Sequence, residues 1–237
     1  MPWEILERVM RMTENNNKGM KDLRKVVIIG GVLAALNFLA GILAYPRLPD
    51  KVPTHWNFAG EVDGWGTAWE GAFLLPLIYL GVYILFILLP KIDPKRRNYA
   101  QMGKAYSTVA LIVLLFFTVL YFGTLGIALG YFENLPSLIF IAIGIMFIVF
   151  GNYMGKIKHN YFMGIRTPWT LASEEVWYRT HRMAGPFWIA GGALFMLMSI
   201  VPKGFTLAIF LVIMFGLLLI PTVYSYVIFR RLEQNGH

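Results

Sequence analysis

Six apolar runs divide the chain, at about 26–44, 71–89, 106–130, 138–154, 186–201 and 205–228, and none of them contains Asp, Glu, Lys, Arg or His. A helix rising 1.5 Å per residue needs roughly 20 residues to cross about 30 Å of hydrocarbon. The first, second, third and sixth runs are long enough; the fourth and fifth are short, and either flanking residues complete them or part of the polar stretch between them dips into the membrane. The pattern predicts an all-α, polytopic membrane helix bundle of six transmembrane helices. Its orientation follows from the cations between the runs. The N-terminus, the 90–105 loop, the 155–185 loop and the C-terminal tail together carry eighteen Lys and Arg, whereas the other side carries Arg47, Lys51 and Lys203. Cations concentrate on the cytoplasmic side, so both termini are expected in the cytoplasm and the 45–70 loop outside.

Three regions are expected on this frame: 1–25, 26–90 with two spans and the outer loop, and 91–237 with four spans and a polar loop at 155–185. In the first, which has no apolar core or cleavage site of a signal peptide, Trp3, Leu6, Val9 and Met10 recur at helical spacing opposite Glu4, Glu7, Arg8 and Arg11. That spacing predicts a short amphipathic helix on the membrane surface; a frayed extension ahead of Met20 is the alternative. The outer loop contains Pro46, Pro49, Pro53, Gly60, Gly64 and Gly66 and is expected to be turn-rich and non-helical. Its Trp56, Phe58, Trp65 and Trp69 fit an interfacial aromatic belt or a binding surface.

Composition agrees with the pattern. The 237 residues are 57% hydrophobic and only 14% charged, against about 25% charged in soluble domains, and the mean hydropathy is +0.60. Cysteine is absent, which removes disulfides, thiolate metal sites and cysteine nucleophiles. The net charge of +8 flanks apolar spans, so it speaks for the lipid surface rather than for direct nucleic-acid binding. No cofactor is implied.

The most densely patterned stretch is 152–185, with Asn160, Tyr161, Gly164, Arg166, Thr167, Pro168 and Trp169 within ten residues. A lipid-facing helix does not tolerate such a run. Pro168 pushes Thr167 toward extended backbone. Ser173 is then placed to cap a short helix with Glu174 and Glu175 in its first turn. Val176, Trp177, Thr180 and His181 share one face of it, and Glu175 can pair with Arg179 one turn on.

Candidate chemistry is sparse. His55, Asn57 and Asp63, with Trp56 and Trp65 beside them, form the most site-like cluster in the outer loop; they suit either ligand recognition or a structural role. His55 alone matches no zinc motif. His159 and His181 with Glu174 and Glu175 between them supply the ligand types of a catalytic zinc site, or pack as structural histidines in a basic strip. Arg166 suits carboxylate or phosphate recognition, or bonds to loop carbonyls. Asn37, inside the first run, suits a hydrogen bond between helices. The lack of ionisable residues in the runs argues against an ion-coupled carrier, and no Walker-type loop, Ser-x-x-Lys arrangement or nucleophile elbow occurs.

Residues 160–185, NYFMGIRTPWTLASEEVWYRTHRMAG, preceded by Gly151-Asn152, resemble the signature of the SdpI family of multi-pass membrane proteins, and YPRLPDKVPTHWNFAGEVDGWG at 45–66 resembles the short domain of unknown function that commonly precedes it. The resemblance implies an immunity protein and receptor that protects the cell from a secreted peptide toxin and sequesters a soluble transcriptional repressor. It draws attention to Asn160, Tyr161, Arg166, Thr167, Pro168 and Trp169 on one side, and to His55, Trp56, Asn57, Asp63 and Trp65 on the other. A membrane-embedded metal-dependent hydrolase and a small-molecule carrier are the rival expectations.

Overall fold

Two prolines inside one span explain how the first half of the bundle is tied together. The structure, a computed structural model, describes residues 2–57, 61–131 and 135–235; the side chains of 2–18, 20, 135, 136, 203 and 235 are not among those described. Helix α2 (Ala68–Ile92) contains Pro76 and Pro90. Each proline lacks the N–H that the carbonyl four residues earlier would accept, and lipid offers no substitute donor. Helix α4 (Gly103–Ala128) supplies both. Tyr121 donates its hydroxyl to the Ala72 carbonyl at 2.9 Å, and Tyr106 donates to the Phe86 carbonyl at 2.5 Å. Helix α1 (Pro2–Ala44) joins by the same device, with Tyr79 and Tyr83 of α2 donating to Gly30 and Val27 carbonyls. Asn37 of α1 donates to Thr118 of α4 at 3.3 Å, fully buried.

The second half is α5 (Leu135–Met154), α7 (Glu174–Leu197) and α8 (Lys203–Asn235), packed around Phe147, Phe195, Met198, Ile213 and Leu217. The α5–α7 crossing rests on four glycines. A Cβ on Gly144 would lie 2.5 Å from the Gly192 carbonyl oxygen, and one on Gly151 would lie 2.6 Å from that of Gly185. Both helices repeat glycine at a seven-residue interval, so two contacts two turns apart bring the antiparallel backbones together.

Six helices are long and apolar enough to cross a membrane: Lys21–Arg47, Ala68–Ile92, Gly103–Ala128, Ser137–Met154, Glu174–Ile200 and Gly204–Gln234. Their outer faces are apolar, as at Ile28, Val212 and Leu218, all more than half exposed. The chain is therefore a multi-pass membrane helix bundle. Three local features differ from the sequence expectation. The backbone of residues 2–20 continues into the first span as one helix of 43 residues; the side chains on which the amphipathic reading of Trp3, Leu6, Val9 and Met10 rests lie outside the described residues. The helix capped by Ser173 is not short but runs on through Pro186 as the fifth span, because Arg179 and Arg182 lie in its first three turns, where they bond to Glu175 and Tyr178 of the same helix, ahead of its apolar part. The 45–70 loop is not merely turns: after a 3-10 turn at Tyr45–Arg47 it forms an antiparallel hairpin of β1 (Lys51–Trp56) and β2 (Val62–Thr67). Phe58 and Gly60 lie outside the described residues.

Candidate functional site

The bundle presents one structured end at the hairpin and another at the 155–173 loop. At the hairpin end, Thr67 caps α2 and forms a reciprocal box with Glu70: the Glu70 N–H donates to the Thr67 hydroxyl, and the Glu70 carboxylate accepts from the Thr67 N–H at 2.6 Å. Val52 is fully buried against Gly71, where a Cβ would meet it. The hairpin is thus fastened to the top of α2. The candidate polar residues pair with each other: His55 Nδ1 lies 2.5 Å from the Asp63 carboxylate, and the Asn57 side chain both donates to the Glu61 carboxylate and accepts from the Glu61 N–H. Trp65 is 59% exposed, while Trp56 is half-buried. Beneath β1 lies a cavity of about 360 Å³, walled by Val52, Trp56, Leu74, Ile78, Leu120 and Ile139 from the hairpin and three helices.

At the other end the loop folds around buried polar residues. Asn160, fully buried, accepts from the Phe162 and Met163 N–H groups and donates to the Lys158 and Met163 carbonyls. That is a full set of bonds for one amide side chain. Asp93, which sequence reasoning missed, lies 2% exposed at the end of α2 and accepts from the Lys95 and Tyr161 N–H groups and from the Tyr99 hydroxyl. Burial is the main reason the Tyr99 hydroxyl resists ionisation, and this bond adds to it. Thr167 takes the extended backbone expected before Pro168 and caps α6 (Pro168–Ala172); its hydroxyl lies 2.9 Å from that of Ser225 on α8. Trp169 packs against Tyr226, ring centroids 5.1 Å apart. Arg166 is exposed and donates to the Tyr161 carbonyl at 3.1 Å.

Ser173 accepts from the Val176 N–H, and Val176, Trp177, Thr180 and His181 form the buried face. Glu175 pairs with Arg179 at 2.6 Å. His181 stacks on Trp177 and uses both ring nitrogens: Nδ1 donates to the Trp177 carbonyl, and Nε2 accepts from the Ile165 N–H at 2.9 Å. The ring is a neutral tautomer with no lone pair left for a metal. Gly164 lies directly over it at φ 107°, a left-handed conformation suited to glycine, and a Cβ there would collide with His181 Nε2. His159 and Glu174 do meet, 3.5 Å apart, but Lys95 comes between their roles: its ammonium lies 2.6 Å from His159 Nδ1 and 2.9 Å from the Glu174 carboxylate. Among the described residues, no three His, Cys, Asp or Glu side chains gather as metal ligands would.

Burial first, and the Lys95 ammonium second, hold the His159 imidazole below its usual 6.5. The unfolded chain then binds more protons than the folded one as pH falls through 6.5 toward the lower folded value, so this group's contribution is complete above that window and lost within it. Thermal unfolding of the detergent-solubilised protein should therefore shift to lower temperature between about pH 7 and pH 5. His159→Gln should flatten that slope; an unchanged slope would remove His159 as its source.

Comparison with known proteins accords with this arrangement. Residues 156–225 match the SdpI/YfhL protein family, and residues 32–80 match a domain of unknown function, DUF1648. The chain is 30% identical over 206 residues to the protein named Immunity protein SdpI of Bacillus subtilis (strain 168), covering 87% of this chain and 97% of that one. No solved structure matches it. The two matched regions include the hairpin and the polar loop together with adjoining spans, and with this identity over most of both chains, the protein belongs to the SdpI/YfhL protein family.

Proposed function

We propose that this membrane immunity protein protects its cell from a secreted peptide toxin, which it meets at the hairpin end facing outward, with both termini and the polar loop in the cytoplasm. The relation to an immunity protein supports the function, and the charge distribution supports the orientation. The observation that carries the site is the apolar cavity under the hairpin. It is bounded by β1 of the hairpin and three spans, and the exposed Trp65 stands on the same hairpin. Aromatic side chains give contact area at low entropic cost, which suits capture of an apolar peptide arriving at the membrane surface. His55, Asn57 and Asp63 then serve to hold the hairpin, since their polar atoms pair within it. A soluble repressor would meet the opposite end, on the exposed surface around Tyr161 and Arg166.

One labelling experiment tests site and orientation together. Thr54 is exposed and lines the cavity, and the chain has no cysteine. Thr54→Cys should react with a membrane-impermeant maleimide on intact cells, and toxin should slow the reaction. Labelling only after the cells are opened would overturn the orientation; labelling from outside at the same rate with toxin present would overturn the site.

A further inference from the structure

We infer that the polar-loop end carries a binding site for the headgroup of an anionic phospholipid. A cavity of about 590 Å³ opens where α4 begins, α5 ends and α7 begins. Those three termini mark the depth at which spans Gly103–Ala128, Ser137–Met154 and Glu174–Ile200 meet the membrane boundary, which is the depth of phospholipid headgroups. The cavity has two chemistries. Its floor is buried and apolar, from Met102, Ala105, Ile157 and Trp177. Its mouth carries three exposed ammonium groups, those of Lys104, Lys156 and Lys158.

The charge balance around the cavity is positive. Glu174 is the one acidic residue lining it, and Lys95 neutralises it at 2.9 Å. His159, at the back, is kept uncharged by burial and by the same lysine. Tyr178, also at the rim, is bonded to Arg182, which adds a fourth nearby cation. Three lysines, none of them ion-paired among the described residues and Lys156 resting over the Tyr153 ring, surround a space too large for a bare anion and, over an apolar floor, favour an amphiphile that brings a phosphate and an acyl chain together. Basic pockets between spans on the cytoplasmic side bind such headgroups. The inference does not depend on toxin recognition, which is assigned to the other end.

The test uses the full chain in a neutral detergent, titrated separately with short-chain phosphatidylglycerol, short-chain phosphatidylcholine and inorganic phosphate. Bound ligand is measured by native mass spectrometry, and stability by thermal unfolding. Phosphatidylglycerol should bind and raise the unfolding temperature, the other two should do neither, and added salt should weaken the effect. Replacing Lys104, Lys156 and Lys158 together by Gln should weaken binding about 100-fold. The same charge removed elsewhere, by Lys21→Gln, Arg24→Gln and Arg231→Gln, should leave binding unchanged. Should the lysine variant unfold without lipid, Gln101→Trp, which fills the cavity from its rim at constant charge, is expected to block binding instead. Equal binding of phosphatidylcholine, equal stabilisation by inorganic phosphate alone, or equal losses in the two triple variants would each overturn the site.

Discussion

Gly151→Leu is expected to abolish stable folding of the second half of the bundle. A side chain at this position would begin with a Cβ 2.6 Å from the Gly185 carbonyl oxygen and 2.8 Å from the Ile189 nitrogen. Both obstacles are backbone, so no rotamer relieves them and the helices must part. Overpacking of cores costs about 1–3 kcal/mol, occasionally more, and separating α5 from α7 also uncovers Phe147 and Phe195. A loss of at least ~3 kcal/mol is anticipated, seen as a collapse of the monodisperse peak on size exclusion in detergent. Gly192→Leu should behave alike, because Gly192 meets the Gly144 carbonyl in the same way. Gly81→Ala is the control: nothing lies within 4 Å of a Cβ there, and helix propensity makes it neutral or stabilising by up to about 1 kcal/mol. A monodisperse Gly151→Leu protein would show that the crossing is not as close as described.

Asp93→Ala is expected to have the largest effect at the polar loop. Its carboxylate accepts three bonds, two of them joining the end of α2 to residues elsewhere: the Tyr99 hydroxyl on α3 (Arg97–Gln101) and the Tyr161 N–H in the loop. Each buried donor left without a partner costs about 1–3 kcal/mol, so roughly 3 kcal/mol should be lost overall. Asp93→Asn, which keeps one acceptor oxygen, should lose about half as much. Thermal unfolding followed by tryptophan fluorescence reads this directly, since Trp177 donates to the Ile157 carbonyl beside the loop. An Asp93→Ala protein that melts with the parent would show that Asn160 and Thr167 hold the loop without it.

Local physics was legible in the sequence. The Ser173 cap, the buried face of Val176, Trp177, Thr180 and His181, the Glu175–Arg179 pair and the extended Thr167 all follow from spacing within one element, and the structure places them so; Asn37, a polar side chain in an apolar run, announced an interhelical bond but not its partner Thr118. What escaped depends on partners distant in sequence. Asp93 is one acid in a basic loop until the fold brings Tyr161 to it from 68 residues away. The hairpin was hidden because Pro53, Gly64 and Gly66 read as turn residues; they are accommodated by irregular pairing after Pro53 and by close approach of Gly66 to Thr54 and Glu70. Two further signals were present but unread. The seven-residue repeats Gly144/Gly151 and Gly185/Gly192 marked a close crossing. Pro76 and Pro90 announced free carbonyls that Tyr121 and Tyr106 were positioned to fill.

The site residues also divide by what they can do. His181 and Asn160 have every polar atom engaged within the loop, which makes them structural. Trp65, Tyr161 and Arg166 remain exposed, as do His55, Asp63 and Pro168, and these have surface left to offer a partner.

The most direct measurement of the central claim is complementation. Bacillus subtilis strain 168 cells lacking their own Immunity protein SdpI, the relative aligned over 87% of this chain, would express the present protein and be challenged with the agent against which that immunity acts. Survival should be restored by the parent chain and reduced by joint Trp56→Ala and Trp65→Ala replacement at equal membrane abundance. Cells that carry the inserted parent protein at full abundance and still die at the rate of empty-vector cells would contradict the claim.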